Sequence, residues 1–208
     1  MLDYQRPSLP ELVFHDERGV VIPYGQRWAA QGWDGPDDTY SVTAHPERFA
    51  PLVEVARAII EHLTATYDVS RTDTNELNGV TRVRLVPRVP SAAPLEFTFH
   101  PDPRVNVIAG INTDVGWFCP CDHCDEDVQV LVGVLEQEIS AVVEGKFREW
   151  LNDPEQGYGG NDLFLAYKFR TADGVGRGGS GSVGDRGRPD LRTRFKDVPP
   201  QWAPWTRH

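Results

Sequence analysis

The chain has 208 residues, and 39% of them are hydrophobic, which is enough for an apolar core, so we predict one domain over residues 1–208. Its 31 acidic and 21 basic residues give a formal net charge of −10, which repels phosphate backbones and anionic lipid surfaces. This balance excludes nucleic acids and membranes as favoured partners and leaves an unidentified protein or small molecule.

The N-terminal sequence MLDYQRPSLPELVF has no basic region followed by an apolar one, as a secretory signal would. No segment approaches the roughly 20 apolar residues that cross a bilayer. All three cysteines fall in one short stretch, which is unlike the cysteine framework of a secreted protein. We therefore expect a cytoplasmic protein.

The first part of the chain, residues 1–46, is rich in Pro, Gly and Trp and predicts an irregular segment. Within it, two short apolar runs around Asp16–Gly19 predict a β-hairpin. The sequence AHPERF then predicts the start of a helix, with Pro46 at the first helical position and Glu47 near the positive end of the helix dipole. Apolar residues spaced three and four apart extend this first helix over about 47–67.

The hydrophobic period then changes to two, which predicts three strands in VTRVRLVP, LEFTFH and RVNVIAGI. If these strands are neighbours, one polar face carries Arg82, Arg84, Glu96, Thr98 and His100. Such a set can bind an anion or transfer a proton, although cross-strand ion pairs on a solvated face are the more common arrangement.

A second helix is predicted over about 125–151, with Asp125, Glu126 and Asp127 in its first turn. The sequence DLFLAYKFRTADGVGRGGSGSV then predicts a hairpin that turns at Ala172–Gly174, inside a glycine-rich arm over 171–188. Its Gly176, Gly178 and Gly181 match the dinucleotide-binding pattern G-x-G-x-x-G. No apolar helix follows them, so a hairpin arm is the favoured interpretation.

Taken together, the element order predicts an α+β fold. We expect an antiparallel sheet of about five to seven strands with two main helices packed on one face.

Cys119, Cys121 and Cys124 lie within WFCPCDHCDED at residues 117–127. Thiolates are good zinc ligands, and Cys121 and Cys124 have the C-x-x-C spacing of a zinc knuckle. We predict that the three sulfurs bind zinc, with His100, Asp122 or His123 as the fourth ligand. Because thiolate-rich sites are usually closed, a structural role is favoured over a catalytic one.

Two alternatives stay open at this stage. The chain could be a thiol-disulfide oxidoreductase in which Cys121 attacks and Cys124 resolves, although three nearby acidic residues would raise the thiol pKa values. It could also be an interaction domain without a metal, whose reduced cysteines pack as small apolar side chains. No residue is predicted to be catalytic or to bind an organic cofactor, so a non-enzymatic role is favoured.

Four stretches resemble an uncharacterised actinobacterial family of unknown function. They are VVIPYGQRW at 20–28, DDTYSVTAHPERFAPL at 37–52, CPCDHCDE at 119–126 and WAPW at 202–205. The family pattern C-x-C-D-x-C-D-E is matched in full, and His123 falls at its variable position. The resemblance implies one bacterial cytoplasmic domain and makes the cysteine segment a family feature, but it implies no activity.

Overall fold

The computed structural model describes residues 1, 3–33, 35–152, 163–170, 176–183 and 188–208. A 3₁₀ turn at Pro46–Phe49 leads into helix α1, Ala50–Thr66, which confirms the first predicted helix. Its apolar residues recur every three or four positions, so they share one buried face: Leu52, Val55, Ala56, Ile59, Ile60 and Leu63.

Five antiparallel strands follow as a meander: β1 Val69–Asn75, β2 Thr81–Pro87, β3 Leu95–Phe99, β4 Val105–Ala109 and β5 Thr113–Val115. A short 3₁₀ turn, Leu77–Gly79, joins β1 to β2. The three predicted strands are confirmed as β2, β3 and β4. Leu85 pairs with Leu95 and Phe97 pairs with Val107, so their apolar side chains line one face of the sheet.

Helix α2, Val128–Val143, is shorter than the predicted 125–151. Asp127 is its N-cap, and its carboxylate accepts the backbone N–H of Gln129 at 2.7 Å. The prediction that Asp125, Glu126 and Asp127 lie in the first turn is therefore wrong, because all three precede the helix. The helix ends before Gly145, whose φ of +68° reverses the chain.

After this turn the chain forms strand β6, Phe147–Asn152, where a continuing helix was predicted. Strands β7, Leu163–Arg170, and β8, Gly176–Val183, pair antiparallel and complete a three-stranded sheet in the order β6-β7-β8. The predicted hairpin strands are confirmed, while the predicted turn at Ala172–Gly174 lies outside the described residues. The glycines of the G-x-G-x-x-G match lie on β8, paired with β7.

The α+β class is confirmed, and the strands are divided between two sheets. Helix α1 packs on β1 and β4, whereas α2 contacts both β5 and β7 and so joins the sheets. A short helix, α3 Arg188–Phe195, was not predicted, because its sequence RPDLRTRF has little apolar character. No helix in the described ranges has the length and apolar character needed to span a bilayer.

The N-terminal segment contains the 3₁₀ turns Ala29–Gln31 and Asp37–Thr39. The hairpin predicted around Asp16–Gly19 is reduced to a tight turn closed by one bridge, His15 to Val21. Val20 and Val21 are more than half exposed, so no apolar burial supports longer strands. Near the other end of the chain, Trp205 is buried and donates from Nε1 to the carbonyl oxygen of Ala93 at 2.9 Å.

Candidate metal centre

The three cysteine sulfurs converge on one point in the loop before α2, where Cys121 is buried, Cys119 partly buried and Cys124 exposed. The Sγ atoms of Cys119 and Cys121 are 3.1 Å apart, those of Cys121 and Cys124 are 3.5 Å apart, and all three lie within 4.8 Å of one another. A disulfide would need about 2.05 Å, so the thiols are free. A tetrahedron with Zn–S bonds of about 2.3 Å places its sulfurs about 3.8 Å apart, which is close to this spacing.

The thiols of Cys121 and Cys124 differ in pKa. Burial raises the pKa of Cys121, but hydrogen bonds from the Cys119 thiol and from the backbone N–H groups of Cys124 and Ser41 lower it to about 7. Burial and the two neighbouring sulfurs raise the pKa of Cys124 to about 12. Cys121 therefore ionises readily, whereas a thiolate at Cys124 needs a cation beside it.

Asp122 fixes the loop through a buried ion pair. Its Oδ1 accepts from Nη1 of Arg48 at 2.8 Å, and Oδ2 accepts the backbone N–H of Ala44 at 3.1 Å. Nη1 of Arg27 lies 3.6 Å from the same Oδ1. Arg48 is 2% exposed, donates to the carbonyl oxygen of Pro120 at 3.1 Å and lies 4.0 Å from the ring centroid of Tyr24.

Asp125 and Glu126 hold backbone groups. Asp125 has a φ of +48°, and its carboxylate accepts the N–H of Arg27 at 2.7 Å as well as that of Gly25. Glu126 accepts the N–H of Cys119. Burial raises the pKa of both carboxyls. These acids of the cysteine segment thus serve as anchors of the loop.

The N-terminal segment wraps this loop, and we refer to its residues 24–33 and 35–48 as the collar. Trp28 donates from Nε1 to the carbonyl oxygen of Asp122 at 3.1 Å, and Thr43 donates from Oγ1 to that of Pro120 at 3.2 Å. Gly35 approaches so closely that an added Cβ would lie 2.8 Å from Nε1 of Trp28 and 2.9 Å from the carbonyl oxygen of His123. The collar and the loop therefore form one packed unit.

The three residues predicted as a fourth ligand have other contacts. Asp122 is paired with Arg48. His123 stacks on Tyr40 with ring centroids 3.6 Å apart, and its Nδ1 lies 3.2 Å from the carbonyl oxygen of Pro36. Nε2 of His100 lies 2.7 Å from Oδ1 of Asn106. Among the described residues, no His, Asp or Glu joins the sulfurs in a group within 4.8 Å.

The sequence interpretation missed Arg48, Arg27 and Trp28. A buried arginine beside a proline-initiated helix carries no periodic signal, and its partner Asp122 is 74 positions away. The sequence contained one indirect indication of these partners. The same family resemblance covers the stretches at 20–28 and 37–52 and the cysteine segment. These three stretches are in contact in the structure.

The family model described as "Family of unknown function (DUF6226)" matches residues 10–208. The chain belongs to this family. The match covers the collar, the cysteine loop and the C-terminal WAPW, so the resemblance to a family of unknown function is confirmed for DUF6226. Neither a curated protein nor a solved structure matches the chain.

Proposed function

We propose that the chain is a non-enzymatic binding or regulatory protein in which Cys119, Cys121 and Cys124 hold a structural zinc ion. The convergence of three free sulfurs within 4.8 Å of one another supports this proposal best. Zinc suits the site because thiolates are soft ligands and a tetrahedral set of donors satisfies the ion.

A structural role follows from the surroundings of the sulfurs. The loop has no regular secondary structure, and it joins the collar to the start of α2. A cation would compensate the like charges of three adjacent thiolates and fix their relative positions. Zinc would thus stabilise the packing of the collar on the loop.

The fourth ligand remains a choice among His100, Asp122 and His123. Moving the Asp122 carboxylate to the metal would leave Arg48 buried without its partner, which is costly. His123 lies between two of the cysteines in sequence and would exchange its contacts with Pro36 and Tyr40 for the metal. His123 is also at the variable position of the family pattern, so a zinc site shared by the family would not depend on it. The zinc content of His123→Ala and of His100→Ala distinguishes the two histidines.

Elemental analysis of protein purified without a histidine tag tests the zinc proposal. We expect about one zinc per chain in the natural sequence and less than about 0.2 in Cys121→Ser, since thiolate ligands supply most of the binding free energy. Thr72→Ala, an exposed change on β1, serves as a control that keeps the zinc. A natural chain with less than about 0.2 zinc and three titratable thiols would refute the proposal.

We further propose a cytoplasmic location, because reduced thiols persist there, and a protein or small molecule as the partner. Cell fractionation with an antibody against the chain tests the location. Recovery of the protein outside the cytoplasmic fraction, with the cysteines oxidised, would contradict it.

A second candidate function is thiol-disulfide exchange by Cys121 and Cys124. It is supported by the pKa of Cys121, near 7, and by the 3.5 Å between the two sulfurs. The burial of Cys121 opposes it, because an attacking thiolate must reach its substrate. An insulin-reduction assay distinguishes the two functions: metal-free protein that reduces insulin, with the activity lost in Cys121→Ser, would favour the oxidoreductase.

If zinc is absent and insulin is not reduced, the remaining candidate is an interaction domain with reduced cysteines. A triple Cys→Ser variant would then keep the unfolding transition of the natural chain. Under the zinc proposal, the same variant unfolds at a lower temperature.

A further inference from the structure

A polar cavity, separate from the cysteine loop, lies on the face of the five-stranded sheet that points away from the core. It has a volume of about 490 Å³ and opens between β2, β3, the β4–β5 turn and α3. The side chains that give it polar character are Arg82, Arg84, Glu96, Asn112 and Arg194. A volume of this size is within the range of small-molecule sites, about 300–1,000 Å³.

The strand register assembles this cavity. Arg84 lies opposite Glu96, which lies opposite Ile108 on the next strand, so the three residues form one row across the sheet. Arg82 is two positions from Arg84 and therefore lies on the same face. Arg194 comes from α3 and donates from Nη2 to the carbonyl oxygen of Ile111 at 2.5 Å, which holds it at the rim.

The charge of the lining is opposite to that of the whole protein. The lining contains three arginines and one glutamate, a balance of +2, whereas the chain carries −10. Two acids outside the lining also pair with its arginines: Glu76 lies 2.6 Å from Arg82, and Asp190 lies 3.6 Å from Arg194. A cluster of arginines attracts anions at short range, whereas the acidic remainder of the protein repels them. This local charge gives the cavity selectivity for a small anion over a polyanion, which would also meet the negative remainder of the surface.

The guanidinium groups are positioned but not fully used. Glu96 accepts from Nη1 of Arg82 at 3.3 Å and from Nη1 of Arg84 at 3.4 Å, which holds the two arginines side by side. Among the described residues, Glu96 is the only ion-pair partner of Arg84. Arg82 also pairs with Glu76 at 2.6 Å, and Arg194 pairs with Asp190 at 3.6 Å. A guanidinium has five N–H donors, so these contacts leave donors for a ligand, most of all on Arg84.

We propose that this cavity binds a small anion with two or more negatively charged oxygens, such as a phosphate group or a dicarboxylate. Planar guanidinium groups match both carboxylate and phosphate geometry with paired hydrogen bonds. Arg84 and Arg194 approach the ligand from the sheet and from α3, while Arg82 adds a third positive charge. The proposal is independent of the cysteine site and of zinc.

Titration calorimetry at low ionic strength, with inorganic phosphate and succinate as probes and acetate as a singly charged control, tests this site. We expect saturable binding of phosphate or succinate with one site per chain. Acetate should bind at least about tenfold more weakly, because it engages one arginine instead of two. Absence of saturable binding by both phosphate and succinate overturns the proposal.

Arginine variants locate the binding. Arg84→Gln and Arg194→Gln should each weaken binding about tenfold, the loss of one charge-assisted hydrogen bond. Arg88→Gln is the matched control: it removes the same charge from an arginine that is 80% exposed and paired with Asp68 at 3.0 Å outside the cavity. It should change binding less than about twofold. Equal losses in Arg88→Gln and Arg84→Gln would show non-specific attraction and overturn the proposal.

Discussion

Between α1 and the five-stranded sheet, the contacts are apolar: Leu85, Leu95 and Phe97 are fully buried beneath helix residues such as Ile59. Around the cysteine loop, the buried groups are polar and charged. Arg48 and Asp122 are almost inaccessible there, and backbone N–H groups bind to the carboxylates of Asp122 and Asp125. The first region is stabilised by the burial of apolar surface, and the second by individual hydrogen bonds and ion pairs.

The two regions should tolerate different substitutions. Apolar packing is spread over many residues, so a core of similar volume and pattern survives substitution. A buried ion pair depends on both partners, and removing one leaves a charge without compensation. The collar and loop should therefore contain the most sensitive polar positions of the described chain.

The largest effect on stability is expected for Arg48→Met. We expect it to lower the free energy of unfolding by about 3–5 kcal/mol, because Asp122 would remain buried with only Arg27, 3.6 Å away, as a cationic partner. Urea denaturation monitored by fluorescence measures the loss. Arg18→Met, which removes an exposed arginine paired with Asp16, is the control and should leave the midpoint unchanged. Equal midpoints for the two variants would mean that the ion pair does not hold the loop.

Removal of zinc by a chelator is expected to have the next largest effect. If zinc is present at about 1,000 times its dissociation constant, its loss lowers stability by about 4 kcal/mol. The fluorescence of Trp28 and Trp117 should change first, since both lie beside the loop, while the circular dichroism of the helices persists. An identical unfolding transition with and without the chelator would contradict the zinc proposal.

The pH dependence of stability is expected to show the next effect, at Glu138, which is buried on α2 and accepts the N–H of Gly116. Burial raises its pKa above the ordinary 4.5, although the N–H of Gly116 and the guanidinium of Arg177 oppose the rise. The folded state thus favours the protonated form. Its contribution to stability is fully present below about pH 4.5 and is lost as the pH rises through the folded pKa.

In practice, the free energy of unfolding of the natural chain minus that of Glu138→Gln should fall with rising pH. The fall amounts to about 1.4 kcal/mol for each unit by which the pKa is raised. Glu144→Gln provides a control of opposite sign. Burial opposes the ionisation of Glu144, but Lys146, Ser140 and the terminal ammonium bring its pKa to about 2. Its contribution is lost as the pH falls from 4.5 towards 2, and a flat Glu138 difference would refute the assignment.

The smallest expected effect is at Asp127, where the loop enters α2. Asp127→Ala should cost about 1 kcal/mol, because the N–H of Gln129 loses its cap. Asp127→Asn keeps an accepting oxygen and should cost less. Thermal unfolding of both variants measures the difference, and an equal loss in the two would show that the cap bond is not the cause.

The sequence predicted α1 and strands β2 to β4, because alternation and helical spacing record which side chains are buried. It missed β1, where every residue except Val69 is exposed, and β5, which has three residues. It extended α2 too far because Phe147 and Trp150 continue the helical spacing, although Phe147 and Glu149 are buried on one face of a strand. Over so few residues, the spacing of apolar residues alone does not distinguish a continuing helix from a short strand.

The site was predicted only in part, for a related reason. Spacings of two and three residues keep the sulfurs of Cys119, Cys121 and Cys124 close in any compact loop. The partners that hold the loop come from the collar, and no local pattern announces a pairing between Arg27 and Asp125, 98 positions apart. Asp125, Glu126 and Asp127 were assigned to the first turn of the helix. Instead, Asp125 accepts a backbone N–H of the collar, Glu126 accepts one of the loop, and Asp127 caps α2.

These separations have a kinetic consequence. Each strand of the meander pairs with its neighbour in sequence, which requires only short chain closures, whereas the collar contacts close loops of 74 and 98 residues. We expect the sheet to form early and the collar to dock late. During that interval the thiols of Cys119 and Cys121 are open to oxidants. Under the zinc proposal, refolding yield should therefore depend on zinc being supplied before the collar closes.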